Sequence, residues 1–96
     1  MSVKVRNNRD DQQFEAEVDG GTALISYNED DGVITFIHTE VPAESEGKGV
    51  AKALVVEALQ YARDNDLQVV AECEYVASYV KKHKEYDDIM HPDYRD

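Results

Sequence analysis

Eight consecutive residues, Glu44-Ser45-Glu46-Gly47-Lys48-Gly49-Val50-Ala51, fall where an apolar strand-like stretch gives way to a helix-like one. The first turn of a helix exposes backbone amides with no partner inside the helix and carries the positive end of the helix dipole, so it attracts anions, phosphates above all. Gly47 and Gly49 add access, because without side chains they let a ligand approach the backbone. Two better-known phosphate loops do not fit. A dinucleotide fingerprint needs a third glycine at position 52, where Lys52 stands, and a P-loop needs Ser or Thr after Gly-Lys, where Gly49 stands. On spacing alone, a plain tight turn accounts for Gly47-Lys48-Gly49 as well as an anion site does. The other residues able to do chemistry are His38 and Glu40, two positions apart, the single cysteine Cys73, and Tyr79.

These residues need elements to position them. Residues 13–19 alternate, with Phe14, Ala16 and Val18 on one face and Gln13, Glu15, Glu17 and Asp19 on the other, and Gly20-Gly21 follows, which predicts a hairpin. Asn28-Glu29-Asp30-Asp31-Gly32 reads as a second turn, and residues 33–41, apolar on both faces near their start, read as a central strand covered on both sides. Residues 3–6 add an edge strand. From Gly49 the period changes: Val50, Ala51, Leu54, Val55, Ala58, Leu59 and Ala62 recur at helical spacing, and Asn65-Asp66 ends the helix. A short strand over residues 68–73 then lies parallel to the central strand, as a strand, helix, strand succession of this length requires. A second, shorter helix carries Val76, Tyr79, Val80 and His83 on one face, and residues 85–96 read as a last helical turn and a frayed end. The predicted fold class is α+β: an antiparallel meander leading into a β-α-β unit with a parallel strand pair and a short C-terminal helix. In a parallel pair both strands end at the same edge, so Cys73 belongs near the Gly47-Lys48-Gly49 loop, where ligands of such sheets bind.

At 96 residues the chain makes one domain, residues 1–96, around one core. No apolar run approaches the roughly 18 residues that a membrane helix needs, the amino terminus lacks the apolar segment of a signal peptide, and a lone cysteine suits a reducing compartment; the expectation is a cytoplasmic protein without a membrane partner. A formal net charge of -11 repels polyanions and argues against nucleic acid. Half of the 10 basic residues (Lys48, Lys52, Lys81, Lys82 and Lys84) fall in two short segments, one at the junction, which suits either a small bound anion or solvated helix faces.

The segment His38-Thr39-Glu40-Val41-Pro42, followed by residues 44–54, resembles the acetyl-coenzyme A binding signature of the Gcn5-related N-acetyltransferases (GNAT). Cys73-Glu74-Tyr75-Val76 with Tyr79 and His83-Lys84-Glu85-Tyr86 is similar to a small, minimal subfamily of them, so the likeness spans nearly the whole chain. The resemblance implies that the amides of Gly47, Lys48, Gly49, Val50 and Ala51, with Lys52 nearby, hold the coenzyme's pyrophosphate, with Glu44 where Gln or Arg is usual. It also implies that the backbone of Glu40 and Val41 pairs with the pantetheine arm like an added strand. Acetyl transfer to an amine needs a base and a proton for the departing thiolate. Glu40 or His38, about 7 Å apart along one strand face, could serve as base. Tyr79 stands where the family often has a thiolate-protonating tyrosine. Cys73, beside the expected thioester, either takes the acetyl group itself, its thiolate favoured by Lys81, Lys82 or His83, or lines the site during direct transfer. Each has an ordinary alternative: a core histidine, a strand-end acid, a core tyrosine, a small buried hydrophobe. His38, His83 and His91 lack metal-ligand spacing. The expected activity is acetyl-CoA-dependent N-acetyl transfer to an unidentified amine, the alternative being a non-catalytic acyl-CoA-binding or sensing module. A monomer suffices for either, and oligomeric state has no spacing code.

Overall fold

The computed structural model describes residues 3–94. Its strands are β1 (Arg6–Asn8), β2 (Gln13–Val18), β3 (Gly21–Asp30), β4 (Val33–Glu40) and β5 (Gln68–Ala71), with helix α1 (Val50–Asp64) between β4 and β5 and helix α2 (Glu74–Lys82) after β5. They form one sheet in chain order, antiparallel up to β4, with β5 parallel to β4, which is the expected α+β arrangement. Gly20 and Gly21, with φ of +92° and +141°, reverse the chain between β2 and β3.

α1 buries the predicted stripe except Ala51, which is half-buried: Val50, Leu54, Val55, Ala58, Leu59 and Ala62 lie in one cluster with Ile25, Ile34, Phe36 and Val69 of the sheet. Burial of each large aliphatic side chain contributes about 1.5–3 kcal/mol, which fixes the helix across the strands and so places its first turn. Val76 and Val80 of α2 enter the same cluster.

Several boundaries differ from the expectation. The edge strand is Arg6–Asn8 rather than residues 3–6, because Arg6 pairs opposite Glu15 while Val3 and Val5 pack against the core. β3 runs through Asn28 to Asp30, and the reversal needs only Asp31 and Gly32, whose φ of +53° and +79° suit a tight hairpin. β4 is not covered on both sides: Ile34 and Phe36 are buried, Val33 and Thr35 only half-buried. The expected frayed tail instead forms 3-10 turns at Lys84–Ile89 and Pro92–Tyr94, and Met90 bridges to Val69 on the far edge of β5, with the His91 amide donating to the Val69 carbonyl at 2.9 Å. Arg63 in the last turn of α1 holds this segment through the Asp88 carboxylate at 2.7 Å and the Glu85 carbonyl at 2.8 Å. The expected frayed end at residues 95 and 96 lies outside the described residues.

β4 carries a bulge. Ser26 pairs with His38 but Tyr27 pairs with Phe36, so Ile37 has no opposite number on β3. Strict alternation after Ile34 and Phe36 would send His38 and Glu40 to the core face. The extra residue reverses the parity beyond it. Thr39 now lies opposite Ile25 on the core side, and His38 and Glu40 face outward beside Ser26 and Leu24.

Glu15, on the β2 face opposite Phe14 and Ala16, is only 5% exposed. Gln13, Asn8 and Arg6 donate to its carboxylate, the latter two at 3.1 and 2.9 Å. Hydrogen bonding from Gln13, supported by Asn8 and Arg6 and opposed by desolvation, lowers its pKa from the ordinary 4.5. A lowered carboxylate pKa stabilises the fold fully above the unfolded value, and that contribution is lost as pH falls through the folded one. Glu15→Ala is expected to cost about 1–3 kcal/mol at pH 7 and to flatten the acid limb of stability below about pH 4.5, checked by urea unfolding across that range.

Candidate functional site

The chain leaves β4 at Glu40, makes a 3-10 turn at Ala43–Ser45 and reaches α1 through a turn over residues 46–49. Ser45, 2% exposed, fixes this path by donating its hydroxyl to the Asp19 carbonyl at 2.7 Å, which ties the loop to the β2–β3 turn. The Glu44 carboxyl lies against Gly20, where an added Cβ would meet its Oε2 at 2.5 Å.

Gly49 is the residue that caps α1, left-handed at φ +80°, and Gly47 is left-handed at φ +78°; a Cβ on either would meet nothing within 4 Å. Glycine is thus required there by backbone conformation and leaves the surface of the turn open. The Ser45 and Glu46 amides donate to Pro42 and Ala43, and the Ala53 amide donates to Gly49. Between them, none of the amides of residues 47–52 meets a described protein acceptor at hydrogen-bond geometry. Amides without a well-aligned protein acceptor, at the positive end of a 15-residue helix, can receive an anion. Lys48 adds a cation, partly engaged with Asp19 at 3.7 Å, an exposed pair worth at most about 1 kcal/mol. An open depression of about 700 Å³, lined by Val18, Asp19, Ser45, Lys48 and Val50 among others, borders the same turn.

The second half of the site is where β4 and β5 part. Their ladder ends at Phe36 and Ala71, and the Glu72 and Cys73 amides both donate to the Phe36 carbonyl, at 3.0 and 2.9 Å, as the chain turns into α2. Residues 37–40 of β4 continue alone on that side. Among the described residues of the tail, Met90 attaches to the opposite edge of β5.

The sequence-selected residues assemble unevenly here. His38 and Glu40 share a face, with Nε2 3.4 Å from Oε2 and side chains 60% and 63% exposed, so His38 is not a core histidine. Cys73 is buried at 6% exposure, at the residue preceding α2, with Sγ 2.9 Å from Thr39 Oγ1. Tyr79 is half-buried in the second turn of α2 and stacks on His83 with ring centroids 4.0 Å apart. Desolvation raises its pKa above the ordinary 10.0, with the charges of Tyr86, Glu85 and Tyr75 adding to the effect. The lysines do not converge: Lys81 and Lys82 occupy the last turn of α2, about 12 Å along the axis from Cys73, where the negative end of the helix favours cations without any ligand. The expected help from Lys81, Lys82 and His83 to a Cys73 thiolate is therefore not provided. Sequence reasoning missed Thr39 and Ser45, although both lie in the quoted signature.

The family profile for GCN5-related N-acetyl-transferase matches residues 13–89. The chain belongs to the GCN5-related N-acetyltransferase family. It is similar to Protein NATD1 of Mus musculus, 31% identical over 83% of this chain and 76% of the mouse protein, and to Protein NATD1 of Homo sapiens, 31% identical over 83% and 74%. The NMR solution structure of a GCN5-like protein from Staphylococcus aureus superposes with a TM-score of 0.73 at 28% identity, covering 95% of this chain and 91% of that one. The GNAT fold generally binds acetyl-CoA and an amine acceptor, and among the described residues no helix is long and apolar enough to cross a membrane.

Proposed function

We propose that this protein is an acetyl-CoA-dependent N-acetyltransferase, acting as one GNAT domain over residues 1–96 in the cytoplasm on an amine whose identity is open. The observation that carries the reading is the run of unpaired amides at residues 47–52 on a glycine-opened helix start. The amides of Gly47, Lys48, Gly49, Val50 and Ala51, aided by Lys52, hold the pyrophosphate, and the free edge of Glu40 and Val41 holds the pantetheine arm. Bound acetyl-CoA supplies the activated acetyl group as a thioester. Glu40, with His38 beside it, takes the proton from the amine, and Tyr79 supplies one to the leaving sulfur. The position of Cys73 beside Thr39, where β4 and β5 part, supports a second route, in which its sulfur accepts the acetyl group before the amine does.

The deciding experiment combines a titration with acetyl-CoA, a panel of amines read by release of free thiol, and intact mass of the native protein and Cys73→Ala. Binding with thiol release supports the enzyme. Binding without release across the panel makes the protein an acyl-CoA-binding or sensing module, and no binding at millimolar coenzyme ends both readings. A stable adduct of 42 mass units, roughly one acetyl group, that vanishes in Cys73→Ala selects the covalent route.

Tyr79→Phe is expected to lower kcat about 10- to 100-fold while coenzyme affinity holds, by steady-state kinetics and calorimetry. The raised pKa keeps the phenol protonated through neutrality, so the Tyr79-dependent part of the rate persists to above pH 10.0 and falls only beyond it.

A further inference from the structure

Beyond Phe36 no ladder bond joins β4 to the segment after β5, yet one side-chain contact crosses the opening, Thr39 Oγ1 to Cys73 Sγ at 2.9 Å. Three independent features aim it. The bulge at Ile37 turns Thr39 inward, opposite Ile25. Two amides bonded to the Phe36 carbonyl fix the Cys73 backbone. Cys73 occupies the capping position of the 9-residue α2 without making a side-chain capping bond, so its sulfur is turned across the gap rather than back over its own helix.

We propose that Thr39 is a positioning residue for Cys73, its hydroxyl donating to the sulfur as the thiol ionises and holding that sulfur at the parted strand ends. The inference rests on reading the opening as the place where the thioester arrives. On ionisation the thiol proton passes to solvent water, and the thiolate gains a charge-assisted hydrogen bond together with the favourable end of the α2 dipole. The ionisable neighbours do not supply this help. Glu72 and Glu74 flank Cys73 with like charge, His38 and Glu40 flank Thr39 on the outward face, and Lys81 and Lys82 sit at the far end of α2.

Iodoacetamide alkylation followed by intact mass tests this on the full chain. Thr39→Val, which keeps shape and removes the donor, is expected to slow alkylation about tenfold at pH 7 and no more than about twofold at pH 9.5. Thr39→Ser is expected to stay within about twofold of the native chain at both, and Cys73→Ala to give no adduct. Equal slowing at both pH values, or a native rate at pH 7 in Thr39→Val, overturns the proposal. Thr39→Ala serves for the same ratio if thermal unfolding shows the valine variant misfolded. Failure to bind acetyl-CoA in a separate titration removes the acetyl-transfer reading but leaves these alkylation ratios intact, so the two failures are told apart.

Discussion

Gly49→Glu is expected to weaken coenzyme binding about 100-fold, whereas Gly32→Glu leaves it within about twofold of native. The two glycines are matched in backbone terms: Gly49 has φ +80°, Gly32 has φ +79°, and a Cβ at either meets nothing within 4 Å. Each substitution therefore carries the same left-handed strain, roughly 1–2 kcal/mol of stability. Only Gly49 stands at the unpaired amides. A carboxylate there repels the diphosphate and can itself accept from neighbouring amides, and losing one or two charge-assisted hydrogen bonds is worth about 1.5–3 kcal/mol each. A hundredfold loss corresponds to about 2.8 kcal/mol, within that range. Calorimetric titration with CoA and thermal unfolding of both variants separate binding from strain. Equal weakening in the two variants would mean that strain, and not the loop, governs affinity.

Glu40→Gln is expected to reduce kcat/KM for the amine about 100-fold with coenzyme affinity unchanged. Glutamine preserves shape and backbone, so the edge offered to the pantetheine arm stays in place while the proton acceptor is lost. His38 stands 3.4 Å from Glu40 and is equally open to solvent, so His38→Gln should cost about tenfold, through the orientation of its partner. Steady-state kinetics on both variants reads the order. A larger effect at His38 would transfer the role of base to the imidazole, and no effect at either would remove this outward face from the chemistry.

The helix stripe from Val50 to Ala62, the glycine hairpin at Gly20-Gly21 and the parallel return of β5 were legible because each follows from local spacing or turn chemistry. So was the open loop, since left-handed glycines and a helix start are both local. What was not legible depends on partners distant in the chain. Nothing in His38-Thr39-Glu40 announces the bulge at Ile37, yet that one residue decides that His38 and Glu40 face solvent and Thr39 meets Cys73, 34 positions away. Glu15 looks like an ordinary solvated acid until Arg6 and Asn8 from the adjacent strand close over it. The basic residues of α2 gather in its last turn, where the negative end of the helix favours cations. The tail becomes ordered by pairing Met90 with Val69, a contact that no periodicity encodes.

Acetyl-transfer chemistry here depends on the backbone donors at residues 47–52 receiving the coenzyme. Amide chemical shifts of isotopically labelled protein, followed while acetyl-CoA is added, report on those nitrogens directly. The largest displacements are expected at Gly47, Lys48, Gly49, Val50 and Ala51, with a second group at Glu40 and Val41. Saturable shifts confined to other parts of the sheet, or none at millimolar ligand, would contradict this expectation.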